Sequence, residues 1–343
     1  MTADAPASLL SSLRNLPFVC PRCRGGLEVS GEAYRCPPCG ALYPLFAGIP
    51  DFRVFPDPYL TVEEDRERAR KVLEAMDRLS FSELLEYYWS LSDITPVPLR
   101  ERFVQSALRG TDRARRLLSL VEESDRRRLK TVLEVGSGTG NFLAASAGLF
   151  PRVVATDIAM RWLHVSRRRM RDEGLPEPAL VCCCAEALPF PDAFFDGAFS
   201  IATLEFAREP SRVLAECARV LAGGGSLFTS TVNRFSLASQ PYAVLWGVGY
   251  LPRRWQAGYV RWRRKASFEN VRLLSRGEID RLASPSFARR RFVLPEITAE
   301  EAGALSLPLR LAARLYRRIR RWRPLERPLA AIVPEWNIRL EKS

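Results

Sequence analysis

The 343-residue chain is long enough for about two domains of ~150 residues each. A composition of 47% hydrophobic and 27% charged residues excludes both a disulfide-stapled peptide and wholesale disorder. No apolar run approaches the ~20 residues of a bilayer span, and the net charge of +13 is unevenly placed. The first 95 residues hold 10 Lys+Arg against 14 Asp+Glu, whereas residues 231–343 hold 23 against 9. Such a basic final third favours phosphate-bearing partners, either nucleic acid or an anionic membrane surface.

Residues 1–18 place Asp4 where a secretory signal needs positive charge and lack an unbroken apolar stretch, which predicts a cytoplasmic protein. Cys20, Cys23, Cys36 and Cys39 then spell C-x2-C-x12-C-x2-C, a spacing that brings four thiolates to the corners of a tetrahedron around zinc. A site with four cysteine ligands is closed to water, so the predicted metal is structural rather than catalytic. A segment this short cannot hold itself by core burial alone, and zinc can supply ~10–16 kcal/mol at neutral pH. The ribbon is assigned to residues 16–55.

Residues 56–125 are predicted to be a helical connector. Val72, Leu73, Met76 and Leu79 recur at helical spacing, and Tyr87, Tyr88 and Trp89 are expected to pack on the domain that follows.

The most informative stretch is TVLEVGSGTGNF at 131–142. Val132, Leu133 and Val135 predict a buried parallel strand. Gly136, Gly138 and Gly140 permit a tight turn, and a helix is expected from Asn141 to Leu149. The loop lacks both the G-x-G-x-x-G spacing of a dinucleotide site and the G-K-[ST] of a triphosphate site. Glu134 stands two residues before the first glycine, which suits a ligand with a cationic amino-acid tail. A second predicted strand ends in Asp157, 21 residues after Gly136, where a carboxylate can accept both hydroxyls of a ribose. The triple cysteine 182–184 sits in an apolar run and reads as buried strand filler.

In unbroken order, VLEVGSGTGNF, VVATDIA, CAEALPFPDAFFDGAFS and TLEFAREPSRVLAECARVLAGGGSLFTSTVN resemble the class I S-adenosylmethionine-dependent methyltransferases over roughly residues 130–235. The resemblance implies a Rossmann-like, seven-stranded α/β sheet over residues 126–343 and S-adenosylmethionine as cofactor. It places Glu134, Gly136, Ser137 and Gly138 around the methionine moiety, with Gly140 completing the loop. Asp157 and Ile158 would hold the ribose and flank the adenine, Ala185 and Glu186 would lie beside the adenine ring, and Thr203 would end the fourth strand. Two departures stand out: Cys184 replaces a common Asp, and Phe206 replaces a frequent histidine. Residues 18–53 separately resemble the zinc ribbon of small methyltransferase activator subunits.

A sulfonium methyl is already activated, so a general base is needed only for an acceptor protonated at neutral pH. Glu205, Asn233 and Tyr242 are the candidates, each following a strand expected to end at the cofactor rim. The single histidine, His164, is expected on the outer layer of helices. Strands are predicted near Gly197–Ile201 and Ser226–Thr231, with helix Pro210–Ala222 between them stopped by Gly223–Gly225. FARRRFVLPEI and EWNIRLEK should form a closing strand pair.

Two insertions remain, about 234–275 and 301–333, forming a basic helical cap. Leu311, Leu315 and Ile319 recur every four residues, with Arg310, Arg314, Arg317 and Arg321 on another face. Trp246, Trp255, Trp262 and Trp322 are interleaved with arginines. Three readings fit: a substrate lid packed on the domain, a membrane-interface belt, or an RNA grip. The acceptor favoured from sequence is a small or lipid-linked molecule, with RNA as the alternative partner. A non-catalytic scaffold that merely binds the cofactor is the reading from another class.

Overall fold

A computed structural model describes residues 13, 16–91, 95–296, 303, 307–320 and 322–343. Four short strands open the chain: β1 (Glu28–Ser30), β2 (Ala33–Arg35), β3 (Leu42–Phe46) and β4 (Ile49–Pro50), an antiparallel meander in sequence order. Helices α1 (Val62–Met76) and α2 (Phe81–Ser90) follow, each opened by a capping box, Thr61 with Glu64 and Ser80 with Glu83. These boxes satisfy backbone donors that a helix start otherwise leaves bare. Helices α3 (Val97–Arg109), α4 (Thr111–Leu118) and α5 (Glu123–Arg128) complete the helical stretch before the second sheet.

The second sheet has seven strands: β5 (Thr131–Val135), β6 (Arg152–Asp157), β7 (Ala179–Cys182), β8 (Phe195–Ile201), β9 (Leu221–Val232), β10 (Arg289–Val293) and β11 (Glu335–Glu341). Their order is β10-β11-β9-β8-β5-β6-β7. The five strands from β5 to β9 run parallel, and β11 lies antiparallel between β9 and β10. The expected α/β sheet and its closing strand pair are both present. Helices α6 (Asn141–Ser146), α7 (Met160–Asp172) and α8 (Pro210–Val220) connect the parallel strands. Four more helices follow: α9 (Arg253–Arg264), α10 (Arg276–Ala283), α11 (Leu307–Ile319) and α12 (Arg323–Ile332); α10 lies between the two insertions and packs on α8. Among the described residues no helix is long and apolar enough to cross a membrane.

Three local expectations are corrected. The helix before β9 ends at Val220, and Gly223–Gly225 lie inside the strand rather than stopping the helix. The register shift between Phe195 and Gly197 accommodates them as a bulge. The helix after the glycine loop is shorter than expected, ending at Ser146. His164 is fully buried instead of facing outward, because α1 and the ribbon cover α7; the Phe46 ring lies 5.8 Å from its imidazole.

The N-terminal strands and their flanks do not stand apart from the main sheet. Phe18, Tyr43 and Phe52 belong to the same buried cluster as Val135, Phe190, Phe195 and Trp336. The Phe18 ring lies 4.9 Å from Phe52 and 5.8 Å from Phe190. Beyond β4, Asp51 bridges in parallel to Cys182, so the chain leaving the ribbon extends the main sheet at β7.

Candidate cofactor site

Parallel strands direct their carboxyl ends to one edge of a doubly wound sheet, which is where ligands bind. At that edge a cavity of about 310 Å³ opens. Its wall takes in Gly136 and Gly138 after β5, Asp157 at the end of β6 with Ile158 after it, Ala185 and Glu186 after β7, and Thr203 after β8. Gly136 has φ +79°, and a Cβ there would meet Thr203 Oγ1 at 2.2 Å. Both the turn and the close approach of Thr203 therefore require glycine. The Thr203 hydroxyl donates to the Val135 carbonyl at 3.0 Å, tying the ends of β5 and β8 together.

Asp157 is held by two backbone donors, Gly138 N–H to Oδ2 and Ala159 N–H to Oδ1, both at 2.8 Å. Each oxygen keeps a lone pair for a further donor. Burial pushes its carboxyl up to about 6 against those two bonds. Glu134, buried behind the glycine turn, is pushed up to about 8 by desolvation. Glu134 Oε2 and Ser137 Oγ are buried and have no hydrogen-bond partner among the described residues. An orphaned buried carboxylate is costly without a cation, so these atoms fit a ligand that brings an ammonium group. Gly140, at φ +77°, caps α6 and packs on Ser166 rather than lining the cavity. The Glu186 carboxylate accepts from Arg208 N–H at 2.9 Å and Glu209 N–H at 3.3 Å, fixing the turn before α8.

Two of the three base candidates are brought together. The Tyr242 hydroxyl donates to Glu205 Oε1 at 2.6 Å, and Thr231 donates to Glu205 Oε2 at 2.9 Å. Burial and the Glu205 charge hold the Tyr242 phenol well above its usual range. Neither side chain is on the cavity wall; Phe206 is, and its ring lies 4.8 Å from Tyr242. The Asn233 amide donates to the Ala331 and Val333 carbonyls, both at 2.9 Å, and so pins the strand end to the cap.

The cavity also has a side that motif reading missed. Phe55, Asp57, Pro58 and Tyr59, from the stretch joining ribbon to connector, form part of its wall. Arg208 clamps that stretch, its guanidinium 4.3 Å from the Phe55 ring and 3.0 Å from the Pro56 carbonyl. Underneath runs a buried ion network. Arg53 bonds Asp51 at 2.7 Å, Asp65 at 2.6 Å and the Ile158 carbonyl at 3.2 Å. Arg161 bonds Asp57 at 2.5 Å and Tyr88 at 2.8 Å, and also pairs with Asp65. Asp65 in turn accepts from Met160 N–H at 2.9 Å. Ribbon, α1 and α7 are thus joined by charges directly beneath the Asp157 turn. The only sequence signal for this wall was the FPDPY run itself, two prolines and two aromatics between ordered elements.

Residues 133–229 match the family model described as a methyltransferase domain. That stretch of the chain is a methyltransferase domain. Over 115 residues it is 41% identical to the ubiquinone/menaquinone biosynthesis C-methyltransferase UbiE of Bordetella avium, covering 33% of this chain and 43% of that protein. The UbiE of Paraburkholderia xenovorans is 34% identical over 142 residues, 40% of this chain and 56% of that one. The chain therefore spans about half the length of these curated relatives or less. Among solved structures, a methyltransferase of Thermotoga maritima shares 22% identity, with a TM-score of 0.42 over 71% of this chain and 99% of that one. A Haloferax volcanii complex of the Trm112 methyltransferase activator with a methyltransferase gives 17% and 0.42, over 69% and 96%.

Away from the methyltransferase domain's cavity, the four sulfurs of Cys20, Cys23, Cys36 and Cys39 all lie within 4.8 Å of one another. Cys20 and Cys39 are 3.6 Å apart, Cys23 and Cys36 3.4 Å. A tetrahedron with Zn–S bonds of ~2.3 Å has edges of about 3.8 Å, so the set fits zinc. The Tyr43 hydroxyl, 3.2 Å from Cys20 Sγ, supplies a polar neighbour for a thiolate. Cys182, Cys183 and Cys184 are buried, and Cys184 Sγ contacts the Phe55 carbonyl at 3.4 Å.

Proposed function

We propose that the chain transfers the methyl group of S-adenosylmethionine to a small-molecule or lipid-linked acceptor presented at a membrane surface. The observation that carries the cofactor half is the unsatisfied Glu134 carboxylate beside a glycine turn whose Gly136 approaches Thr203 too closely for any side chain. On this reading Glu134 takes the ammonium of the methionine moiety, with Ser137, Gly136 and Gly138 around it. Asp157 takes the ribose hydroxyls, Ile158, Ala185 and Glu186 flank the adenine, and Thr203 sits at the transfer rim. The sulfonium supplies an activated methyl group, leaving the protein to align the two reactants and exclude water.

The acceptor half rests on two supports. Phe55, Tyr59, Trp162 and Phe206 make much of the remaining wall aromatic, and the curated relatives are named as C-methyltransferases of quinone biosynthesis. Methylation at a ring carbon or an amine nitrogen releases one proton, which water or a weak base can take as the new bond forms; Glu205 and Tyr242, holding each other behind Phe206, act on this reading as positioning residues. Residues 16–55 form, on the same reading, a ribbon held by structural zinc. Residues 56–125 are its connector, and 126–343 are the transferase domain with its basic cap.

Calorimetry with S-adenosylhomocysteine tests the cofactor half. Radiolabelled donor incubated with the chain and a cell extract, then partitioned among lipid, RNA, protein and small-molecule fractions, tests the acceptor half. Label in lipid or small molecules is expected, and label confined to RNA would overturn it.

A further inference from the structure

The cap buries Phe268 and packs Tyr242 inward, but a set of its other aromatic residues stands at the surface, ring against ring. The Phe235 ring lies 5.8 Å from Tyr250, Tyr250 stacks 6.1 Å from Trp246, and Tyr259 lies 6.3 Å from Trp262. The trio and the pair are joined by the Tyr259 hydroxyl, which donates to the Trp246 carbonyl at 3.4 Å. Trp246 is 58% exposed and Trp262 75% exposed. These rings are held out rather than left loose, since the Trp246 indole N–H donates to the Leu237 carbonyl at 3.1 Å. Leu237, itself 56% exposed, is anchored by its N–H to the Ile332 carbonyl at 3.1 Å.

Cations border the shelf. Arg263 lies 5.2 Å over Trp262, and Arg254 lies 5.3 Å over Trp255 on the same helix, α9. Neither arginine has a carboxylate partner among the described residues, and both are exposed. On α11, Leu307, Leu311 and Leu315 are exposed at four-residue spacing, so that helix does not pack its apolar stripe on the domain as a lid would.

We infer that this shelf docks the chain on the headgroup region of an anionic lipid bilayer. Indole and phenol rings suit the interfacial depth, guanidinium groups suit lipid phosphate, and aliphatic side chains gain by entering the acyl boundary. The aliphatic members decide between lipid and nucleic acid. Stacking on bases requires π-faces, which Leu237, held against Trp246 and exposed, lacks. The shelf also begins beside the cavity, because Tyr242, packed on the wall residue Phe206, shares its loop with Trp246. The further step, that docking delivers a lipid-linked acceptor to Phe206, rests on the function proposed above.

Flotation of the full chain with vesicles of phosphatidylcholine, with and without phosphatidylglycerol, tests the docking without donor or acceptor. Binding to the anionic vesicles is expected, falling as salt rises and absent from pure phosphatidylcholine. Replacing Trp246 and Trp262 together by alanine should weaken it about tenfold or more, and reversing Arg254 and Arg263 to glutamate should do likewise. Binding of S-adenosylhomocysteine by each variant checks its fold, and W262A alone, at the most exposed ring, serves if the pair fails to fold. No vesicle binding by the parent chain, or binding unchanged in the folded variants, overturns the inference. Tight RNA binding without vesicle binding overturns it in favour of nucleic acid. A chain that floats but ignores S-adenosylhomocysteine would refute the transferase reading and leave the docking surface standing.

Discussion

The Phe52 N–H donates to the Cys182 carbonyl at 2.7 Å, so the chain leaving the ribbon is stitched to the outermost parallel strand of the transferase sheet. The next residue, Arg53, reaches the carbonyl of Ile158 beside Asp157. Loss of order in the ribbon therefore has a short mechanical route to the cavity.

Chelation of zinc, or Cys36→Ser, should consequently do more than unfold forty residues. Melting temperature should fall, and affinity for S-adenosylhomocysteine should drop about tenfold or more, because the Phe52 packing and the Arg53 anchor are lost together. Paired thermal melts and calorimetry, before and after chelation, measure both. Unchanged affinity in a chain with a melted ribbon would show the two units to be independent.

Asp157→Ala should weaken S-adenosylhomocysteine binding by about 10–100-fold, the range for losing charge-assisted hydrogen bonds. Because Asp157 also holds the Gly138 and Ala159 amides, Asp157→Asn is the needed companion. It keeps one acceptor for the turn and should retain more of the fold while still binding weakly.

Glu134 makes binding pH-dependent. Its carboxyl is raised from the ordinary 4.5 to about 8 in the folded chain. The folded state thus retains a proton that the unfolded state releases. This contribution to stability is complete below about 4.5 and is lost as pH rises toward 8. A cationic ligand selects the ionised form, so affinity should rise from pH 6.5 to 8 and binding should release a proton. Asp157, raised only to about 6, titrates mostly below that window. Calorimetry in buffers of different ionisation enthalpy reads the release directly, and Glu134→Gln should abolish it.

Gly136→Ala puts a methyl group 2.2 Å from Thr203 Oγ1 on a backbone at φ +79°. We expect a cost of about 1–3 kcal/mol in stability and a comparable loss in cofactor binding. Adding Thr203→Ser removes one methyl but keeps the hydroxyl, so rescue should be slight. Full rescue would show that crowding, not the left-handed turn, sets the requirement.

Much of this site was legible from spacing. Glycine placement, the acid before the turn and Asp157 on the next strand are local features, and strand ends in a parallel sheet converge by topology. The remainder depended on contacts across more than a hundred residues. Nothing in FPDPY indicates that Phe55 and Tyr59 face Asp157, since that follows from where the ribbon docks. His164 was misplaced for the same reason: an amphipathic helix shows which residues are polar, not what covers its outer side. The glycine run 223–225 read as a helix stop because its role in a strand bulge depends on the partner strand. Glu205, Asn233 and Tyr242 were chosen by position after strands, which cannot reveal that their polar atoms are already engaged with one another or with the cap.

The two margins of the large sheet differ in how they meet the surroundings. At β7 the ladder is occupied by Asp51, whereas at the far side Arg289, Arg290 and Arg291 stand exposed along β10. An unpaired strand invites recruitment of another chain's backbone, and charged side chains along it discourage this. One border is thus covered at Asp51 by the chain's own N-terminal segment, and the other is fringed by long charged side chains, Arg289 set against Glu341, Arg290 against Asp280 and Arg291 against Glu122. Exchanging Arg289 and Arg291 for threonine should then promote concentration-dependent self-association in sedimentation, with cofactor binding retained.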